Sequence, residues 1–389
     1  MKAFNYQQPT EIVFGCGRVD EIGALAAKWG KRCLLVTVPA FDAVAPLYRR
    51  VKQRLAEAGV ETFHFDGVIP NPTTEVVSAG ADIAKANRVD LVIGLGGGSS
   101  MDTAKAIAVE ATHVGTAWDY LHYKTPPTTK TLPIIAISTT SGTGSQTTPC
   151  AVVTRSSDKD KSAIWHPNIF PRIAIVDPEL MLTLPRAMTA MTGFDAFAHN
   201  FEAYLSVGTN PYVETLALEG IRLILENLPK VLENGANLEA RSAMAWADTL
   251  GGLAISSGGV TLPHGLGMQI SGHCPLVAHG QSLAVTYPVF TRYTWPAAIE
   301  KFAKVGRLFN PSLNGVSDES AAEACCEEID GFLRRIGLWI GFSDLGVSPE
   351  ELKEIAADGQ VLGDYRNNPR VASLEEMLDM LNRSFIRHV

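Results

Sequence analysis

Short apolar runs alternate with helical periodicity along the first half of the chain. The clearest strand candidates are Cys33–Thr37, Val89–Ile93, Ile134–Ile137 and Ile173–Val176. Each is apolar on both faces, which is typical of parallel strands covered by helices on either side. Helical spacing between them, at Tyr48–Ala58 and Glu75–Ala86, completes a β–α alternation. The pattern predicts an α/β N-terminal domain built on a parallel sheet.

Beyond the last of these strands only helical patterns continue. Asn210-Pro211 is an N-cap and first-turn pair that precedes apolar residues at helical spacing. Segments beginning at Ser348 and Ser373 match the capping box. We therefore predict two domains: residues 1–184 form the α/β domain and residues 185–389 form an all-helical domain.

A long uncharged segment lies inside the predicted helical domain. Between Asp248 and Arg292 the chain carries no Asp, Glu, Lys or Arg over roughly forty positions, about twice the length of a membrane-spanning helix. Pro263, Pro275 and several glycines are poorly suited to a helix that faces lipid. We predict that the segment is protein interior and that its three histidines lie away from bulk water.

Composition and charge narrow the class of protein. The 389 residues include 33 basic and 41 acidic side chains, a formal net charge of -8, without the basic excess of a nucleic-acid-binding protein. A content of 46% hydrophobic and 19% charged residues excludes a disordered chain. Six cysteines without a CxxC pair favour a reducing compartment, and no apolar run of signal-peptide length follows Met1. We expect a cytoplasmic protein that binds neither nucleic acid nor membrane.

Two polar loops follow predicted strands. The first reads Gly94-Leu95-Gly96-Gly97-Gly98-Ser99-Ser100, with a helix expected from Met101. A strand, a glycine turn and a helix start direct backbone N–H groups and a helix dipole at one point, which suits a pyrophosphate. The string matches neither the GxGxxG fingerprint nor Walker A, so an unliganded tight turn is the alternative.

The second loop, Ser138–Thr148, is rich in hydroxyl groups and glycine. It follows a strand at the sheet edge where ligands bind in open α/β folds, which predicts hydrogen bonds to a sugar-phosphate. An ordinary Ser/Thr turn is the alternative.

A carboxylate and several imidazoles are candidates for a metal site. Asp195 and His199 lie four residues apart, which places them on one face of a helix. His264 and His279, with His273 between them, occur in the uncharged segment. One Asp with two or three His is a ligand set that suits Fe²⁺ or Zn²⁺. A simple Asp–His hydrogen bond is the alternative for the first pair.

Together these motifs resemble the iron-containing (group III) alcohol dehydrogenases over essentially the full chain. The matching segments are Gly96–Ser99 with Asp102 and Lys105, Thr139–Ser145, Asp177–Leu180, Leu184-Pro185, Gly193–His199 with Glu202–Tyr204, His264-Gly265, His279-Gly280 and Asn368–Arg370. The resemblance implies a Rossmann-like dinucleotide-binding domain followed by an all-helical metal-binding domain, the dehydroquinate synthase-like fold.

The resemblance also implies site residues. It implies metal ligands at Asp195, His199, His264 and His279. It implies cofactor contacts at Asn71, Gly97, Gly98, Ser99, Asp102, Thr139, Thr140, Thr148 and Lys161.

Three positions and one spacing depart from the family pattern. Met268 stands where many members have a second histidine, and Gln146 where glutamate is common. His264 and His279 are one residue further apart than expected, which makes His273 a rival fourth ligand and a candidate proton relay. Val38 stands where NAD-using members carry an aspartate that accepts from the ribose 2′-hydroxyl. Both NAD and NADP therefore remain open as cofactor.

The activity implied is a metal-dependent, NAD(P)-linked alcohol dehydrogenase or aldehyde reductase acting on small primary alcohols and their aldehydes. The metal, Fe²⁺ or else Zn²⁺ or another divalent ion, would act as a Lewis acid during hydride transfer. A homodimer or larger homo-oligomer is expected. The alternatives are a family member that acts on a polyol, a hydroxy acid or oxoacid, or maleylacetate, and a non-catalytic nucleotide-binding protein.

Overall fold

The computed structural model describes residues 3–387 and divides into two compact units. One unit comprises Gln7–Leu184 together with Gly235–Ala245. The other comprises Pro185–Asn234, the chain from Trp246 onward and the described residues before Gln7. The first unit is α/β and the second is helical, so the predicted fold class is confirmed.

The α/β unit contains a six-stranded sheet in the order β1-β8-β5-β4-β2-β3, in which every pair of neighbouring strands is parallel. Strands β6 and β7 form a separate antiparallel hairpin. The strands are β1 (Glu11–Phe14), β2 (Arg32–Val36), β3 (Glu61–Phe65), β4 (Leu91–Gly96), β5 (Ile134–Ser138), β6 (Cys150–Arg155), β7 (Asp160–Trp165) and β8 (Ile173–Val176). The helices are α1 (Ile22–Ala26), α2 (Ala45–Glu57), α3 (Thr74–Ala86) and α4 (Gly98–Glu110).

The sheet has a hydrophobic core on each face. Leu34 and Val36 of β2 belong to one buried cluster, whereas Cys33 and Leu35 of the same strand belong to the other. Because successive side chains point to opposite faces of a strand, a strand with helices on both sides must be apolar throughout. This is the physical reason that the central strands were recognisable from their composition.

The two edge strands were not predicted from the sequence, because they are not buried on both faces. β1 and β3 occupy the two edges of the sheet, and β3, with the sequence Glu-Thr-Phe-His-Phe, has only its last residue fully buried. Half-covered edge strands carry polar residues and do not resemble buried strands. The β6–β7 hairpin was also missed.

The bounds of the second predicted strand, Val89–Ile93, and of the helix after it differ from the prediction. β4 begins at Leu91 and continues to Gly96, because Gly94–Gly96 pair with Ala136–Ser138 of β5. Helix α4 begins at Gly98 rather than at Met101. The serines at positions 99 and 100 therefore belong to the first turn of the helix, where backbone N–H groups have no intrahelical acceptor.

The helical unit contains no strand within the part of the chain that the structure describes. Asn210 caps its second helix as predicted, because its Oδ1 accepts hydrogen bonds from Tyr212 N (3.1 Å) and Val213 N (3.2 Å). The helices are α5 (Arg186–Leu205), α6 (Pro211–Glu233), α7 (Leu238–Gly258), α8 (Leu262–His273), α9 (His279–Thr294), α10 (Ile299–Phe309), α11 (Asp318–Ile336), α12 (Glu351–Gly359) and α13 (Leu374–Arg383). The first residues of α7 belong to the α/β unit.

The uncharged segment forms the end of α7, all of α8 and most of α9. All 12 residues of α8 are buried, which confirms that this segment is protein interior. Among residues 3–387, no helix combines the length and the apolar character needed to cross a bilayer.

Candidate metal and dinucleotide sites

Helix α5 carries the first two predicted metal ligands. Asp195 is 2% exposed and His199 is 6% exposed, and the carboxylate Oδ1 lies 3.7 Å from His199 Nδ1 one turn later. The aromatic rings of Phe194, Phe197 and Tyr287 pack together around this helix. That packing restricts the side chains on α5 and gives the pair a fixed position.

Helices α8 and α9 bring two more imidazoles to the same carboxylate oxygen. His264 Nε2 lies 3.5 Å and His279 Nε2 lies 3.7 Å from Asp195 Oδ1. A Cβ added at Gly280 would lie 2.2 Å from the backbone oxygen of Met191. Only glycine allows the start of α9 to approach α5 this closely, and this approach places His279 beside Asp195.

The geometry of this four-residue cluster (Asp195, His199, His264 and His279) fits a divalent metal. Ligands held about 2.1 Å from a tetrahedral ion lie about 3.4 Å from one another, close to the distances observed around Asp195 Oδ1. The donor atoms of Asp195, His199 and His264 all lie within 4.8 Å of one another. Asp195 Oδ1 and His264 Nε2 are buried and form no hydrogen bond with the described residues. Two polar atoms buried without partners are costly unless a ligand satisfies them.

Glu202 orients His264 by contacting Nδ1, the ring nitrogen that does not face Asp195. Its Oε1 accepts hydrogen bonds from His264 Nδ1 (2.8 Å) and Tyr287 Oη (3.2 Å), and its Oε2 accepts from Thr261 N (2.9 Å) and Oγ1 (3.1 Å). A carboxylate only accepts, so Nδ1 carries a hydrogen. With a metal bound, the ring would be neutral and Nε2 would direct its lone pair at the ion. This carboxylate–histidine arrangement is the usual way that proteins orient a metal-binding imidazole.

The charges in this cluster favour a cation. Burial lowers the pKa of His264, but the carboxylates of Glu202 and Asp195 outweigh it and raise that pKa to about 10. Burial likewise raises the pKa of Asp195, and the surrounding imidazoles overcome it and lower that pKa to about 2. The carboxylates thus stabilise positive charge at the point where the four side chains meet.

Neither His273 nor Met268 joins the cluster. His273 Nε2 is hydrogen-bonded to Asp358 Oδ2 at 2.7 Å, and its Nδ1 lies 3.6 Å from Glu354 Oε2. Its ring therefore faces α12 rather than Asp195. Met268 is buried one turn after His264 and has no titratable proton. The structure thus brings together the four side chains that the resemblance implied as ligands and leaves His273 elsewhere.

Three residues that contact this site were not among the predicted site residues: Glu202, Tyr287 and Thr261. Of these, Glu202 lies within a matched motif. A signal for Glu202 was present: it follows His199 by three residues, so both lie on the same side of α5. An acidic residue on an otherwise apolar, buried helix is unusual unless it has a partner. The hydroxyl groups of Tyr287 and Thr261 gave no comparable signal.

The predicted cofactor residues all lie in the α/β unit. Gly97 precedes α4, and the side chain of Thr140 lies beside it, because a Cβ at Gly97 would be 3.3 Å from Thr140 Oγ1. Thr139 N donates to the oxygen of Gly96 at 2.9 Å, which joins the two polar loops. Thr140 Oγ1 is buried and forms no hydrogen bond within residues 3–387. A helix N-terminus beside such hydroxyl groups fits a pyrophosphate.

Asp102 and Lys105 hold the second loop in place from inside. Lys105 is fully buried and donates from Nζ to the carbonyl oxygens of Ser145 (2.7 Å) and Cys150 (2.6 Å). Asp102 accepts from Ser145 Oγ (2.6 Å) and from Val152 N (3.1 Å). Burial lowers the pKa of Lys105 and raises that of Asp102. The pair therefore connects α4 to the loop and to β6.

Three further predicted cofactor residues have defined contacts. Lys161 Nζ donates to Asn71 Oδ1 at 2.8 Å, and Asn71 adopts a left-handed backbone with φ 51°, a conformation that asparagine tolerates. The hydroxyl of Thr148 lies 3.4 Å from Lys105 Nζ. Val38 follows β2 and packs against the hydrophobic cluster on one face of the sheet, so it presents no charge to a ribose.

Replacing Gly98 with alanine is expected to weaken cofactor binding. The new Cβ would lie 2.6 Å from Thr143 Cγ2, so the Thr143 side chain of the second loop must move. Such overpacking costs about 1–3 kcal/mol of stability, and we expect the dissociation constant of NADH or NADPH, measured by fluorescence titration, to rise about tenfold. In the control Gly331→Ala the Cβ meets nothing within 4 Å inside α11. Equal cofactor affinity in the two variants would contradict this role for the loop.

Comparison with known proteins agrees with this arrangement. The family model for iron-containing alcohol dehydrogenase matches residues 9–178, and the model for the C-terminal part of the Fe-containing alcohol dehydrogenase family matches residues 189–385.

Individual relatives match along nearly the whole chain. The NAD-dependent methanol dehydrogenase of Bacillus methanolicus is 34% identical over 380 residues, 98% of this chain and 99% of the relative. The 1,3-propanediol dehydrogenase of Klebsiella pneumoniae is 34% identical over 386 residues, 99% of each chain. The crystal structure of the archaeal halo-thermophilic Red Sea brine pool alcohol dehydrogenase ADH/D1 bound to NZQ has a TM-score of 0.95 at 34% identity, covering 99% of this chain and 100% of that one. The resemblance seen in the motifs is confirmed: the chain belongs to the iron-containing alcohol dehydrogenase family and is an oxidoreductase that acts on alcohols.

Proposed function

We propose that the protein interconverts small primary alcohols and their aldehydes, using a divalent metal, Fe²⁺ in the first place, and NAD or NADP as the hydride carrier. The observation that carries this proposal is that His199, His264 and His279 each place a ring nitrogen 3.5 to 3.7 Å from Asp195 Oδ1 in the helical unit. One oxygen and three nitrogen donors suit Fe²⁺ and Zn²⁺.

The residues divide into those that hold the ion and those that position them. The four-residue cluster would bind the ion, and Glu202 would hold a proton on His264 Nδ1, so that Nε2 is directed at the ion. When bound, the ion supplies Lewis-acid polarisation of the substrate oxygen and the nicotinamide carries the hydride. The uncharged segment that forms α8 and most of α9 excludes water around His264, which strengthens electrostatic interactions there. No protein nucleophile is needed.

The cofactor is proposed to bind the α/β unit. Gly97, Gly98 and Ser99 would offer backbone N–H groups to the pyrophosphate, and the remaining proposed contacts are Asn71, Asp102, Thr139, Thr140, Thr148 and Lys161. Val38 carries no charge that would accept from a 2′-hydroxyl or repel a 2′-phosphate. We therefore propose that both NAD and NADP are accepted. A homodimer or larger assembly, the two-domain division near residue 184 and a cytoplasmic location remain predictions.

The test combines elemental analysis with a cofactor and substrate screen. Purified protein should contain about one iron or zinc per chain, lose its activity with a chelator and regain it with Fe²⁺. Oxidation of NADH and NADPH is followed with a panel of short aldehydes, and a polyol is compared with a monoalcohol. Full activity in metal-free protein would exclude the proposed mechanism. Bound metal without turnover of any alcohol would leave a non-catalytic role.

A further inference from the structure

An acidic side chain outside the four-residue cluster lies against α8, beside the residue that follows His264. Asp364 belongs to a short 3₁₀ turn, Gly363–Asn367. A Cβ built on Gly265 would lie 3.6 Å from the Cβ of Asp364 and 3.9 Å from the backbone nitrogen of Tyr365. Asp364 is therefore the neighbour of the residue that follows His264 on α8.

The carboxylate of Asp364 has no protein partner among the described residues. It accepts no hydrogen bond and forms no ion pair there, and its side chain is half-buried. The charged groups that act on it are His264 and Glu202, both of the metal site. Burial raises the pKa of Asp364 to about 6, His264 opposes the rise, and Glu202 adds to it.

A count of charges shows what this carboxylate does to the site. A divalent ion would be balanced by Asp195, which faces it, and by Glu202, whose four hydrogen bonds are internal. Asp364 then adds a third negative charge, and no described lysine or arginine forms an ion pair with it. A half-buried charge without a counter-ion favours a ligand of the opposite sign.

We propose that Asp364 is a specificity-determining residue that favours alcohols carrying a cationic group, with the hydroxyl at the metal and the cation at the carboxylate. This inference rests on the proposed function and narrows its substrate class. The same charge repels anionic substrates. Hydroxy acids and maleylacetate are therefore disfavoured within the range of substrates that the family resemblance left open.

The test uses two alcohols of the same shape and different charge. Choline carries a trimethylammonium group where 3,3-dimethylbutan-1-ol carries a neutral tert-butyl group. We expect wild-type protein at pH 8 to have the higher kcat/KM for choline, and Asp364→Asn, which removes the charge and keeps the shape, to lower the choline-to-dimethylbutanol ratio about tenfold. Most of the loss should lie in KM, because the interaction is made in the bound ground state.

The control variant is Asp379→Asn. Asp379 is an exposed carboxylate on α13 that lies 3.7 Å from Arg383, so its loss changes the net charge of the protein by the same amount. We expect this variant to keep the wild-type ratio. A ratio that is the same in wild type and Asp364→Asn, or that falls equally in both variants, would overturn the proposal.

A binding measurement separates this inference from the proposed function. Turnover of dimethylbutanol by wild-type protein tests the function alone, because that substrate has no charge. If neither alcohol is oxidised, the proposed function fails, and Asp364 is tested by calorimetric titration of the metal-loaded protein with choline. Tighter binding of choline to wild type than to Asp364→Asn supports the proposal. Binding that is undetectable, or equal in the two proteins, overturns it.

Discussion

Replacing His264 with alanine should abolish metal retention and turnover together. His264 joins Asp195 to Glu202, with 3.5 Å between Nε2 and the Asp195 carboxylate and 2.8 Å between Nδ1 and Glu202. Without the ring, one metal ligand is lost and a buried carboxylate loses a hydrogen-bond donor, at a cost of about 1–3 kcal/mol. We expect the iron or zinc content of the purified protein to fall below about one tenth of the wild-type value, and kcat/KM to fall at least about a hundredfold.

His273→Ala is the matched comparison for this experiment. It removes a buried imidazole from the same helix, but that ring is hydrogen-bonded to Asp358 of α12. The structure predicts that this variant loses stability and keeps its metal, as measured by elemental analysis after dialysis. If His273→Ala lost the metal and His264→Ala retained it, the ligand set would be wrong and His273 would be the ligand.

The second large effect is expected at Glu202, which does not face the metal. In Glu202→Gln the amide must present its NH₂ group either to Thr261 N–H or to the ring N–H of His264, because donors approach both carboxylate oxygens. The amide NH₂ of the new glutamine then faces another N–H donor, and the negative charge of the Glu202 carboxylate is lost. We expect a metal affinity about 10–100-fold lower than in wild type, measured by competition with a chromogenic chelator.

Tyr287→Phe provides a graded control for Glu202. It removes one 3.2 Å hydrogen bond to Glu202 Oε1 and keeps the ring, which packs against Phe194. We expect a loss in metal affinity smaller than that of Glu202→Gln. A Glu202→Gln variant that binds metal as tightly as wild type, at unchanged free energy of unfolding, would show that Glu202 does not position His264.

The features of this protein that could be predicted from its sequence alone depend on residues close together in the chain. Helical spacing placed Asp195 and His199 on one face of α5, and Asn210 specified the start of α6, because both depend on residues within one turn. The central strands were predictable because burial on both faces demands apolar residues at every position. The family resemblance supplied the remaining ligands through matched motifs rather than through geometry.

The tertiary structure decided which distant groups meet. His273 and His279 both lie in the same uncharged segment, and their spacing from His264 does not separate them. The tertiary structure distinguishes the two histidines. His273 lies at the end of α8 and faces α12. Gly280 lets the start of α9 approach the backbone of Met191, which places His279 beside Asp195. Glu202 and Asp364 acquire their roles in the same way, since a buried carboxylate is defined by the charges and donors packed around it. Those neighbours come from other helices, and no local pattern along the chain specifies them.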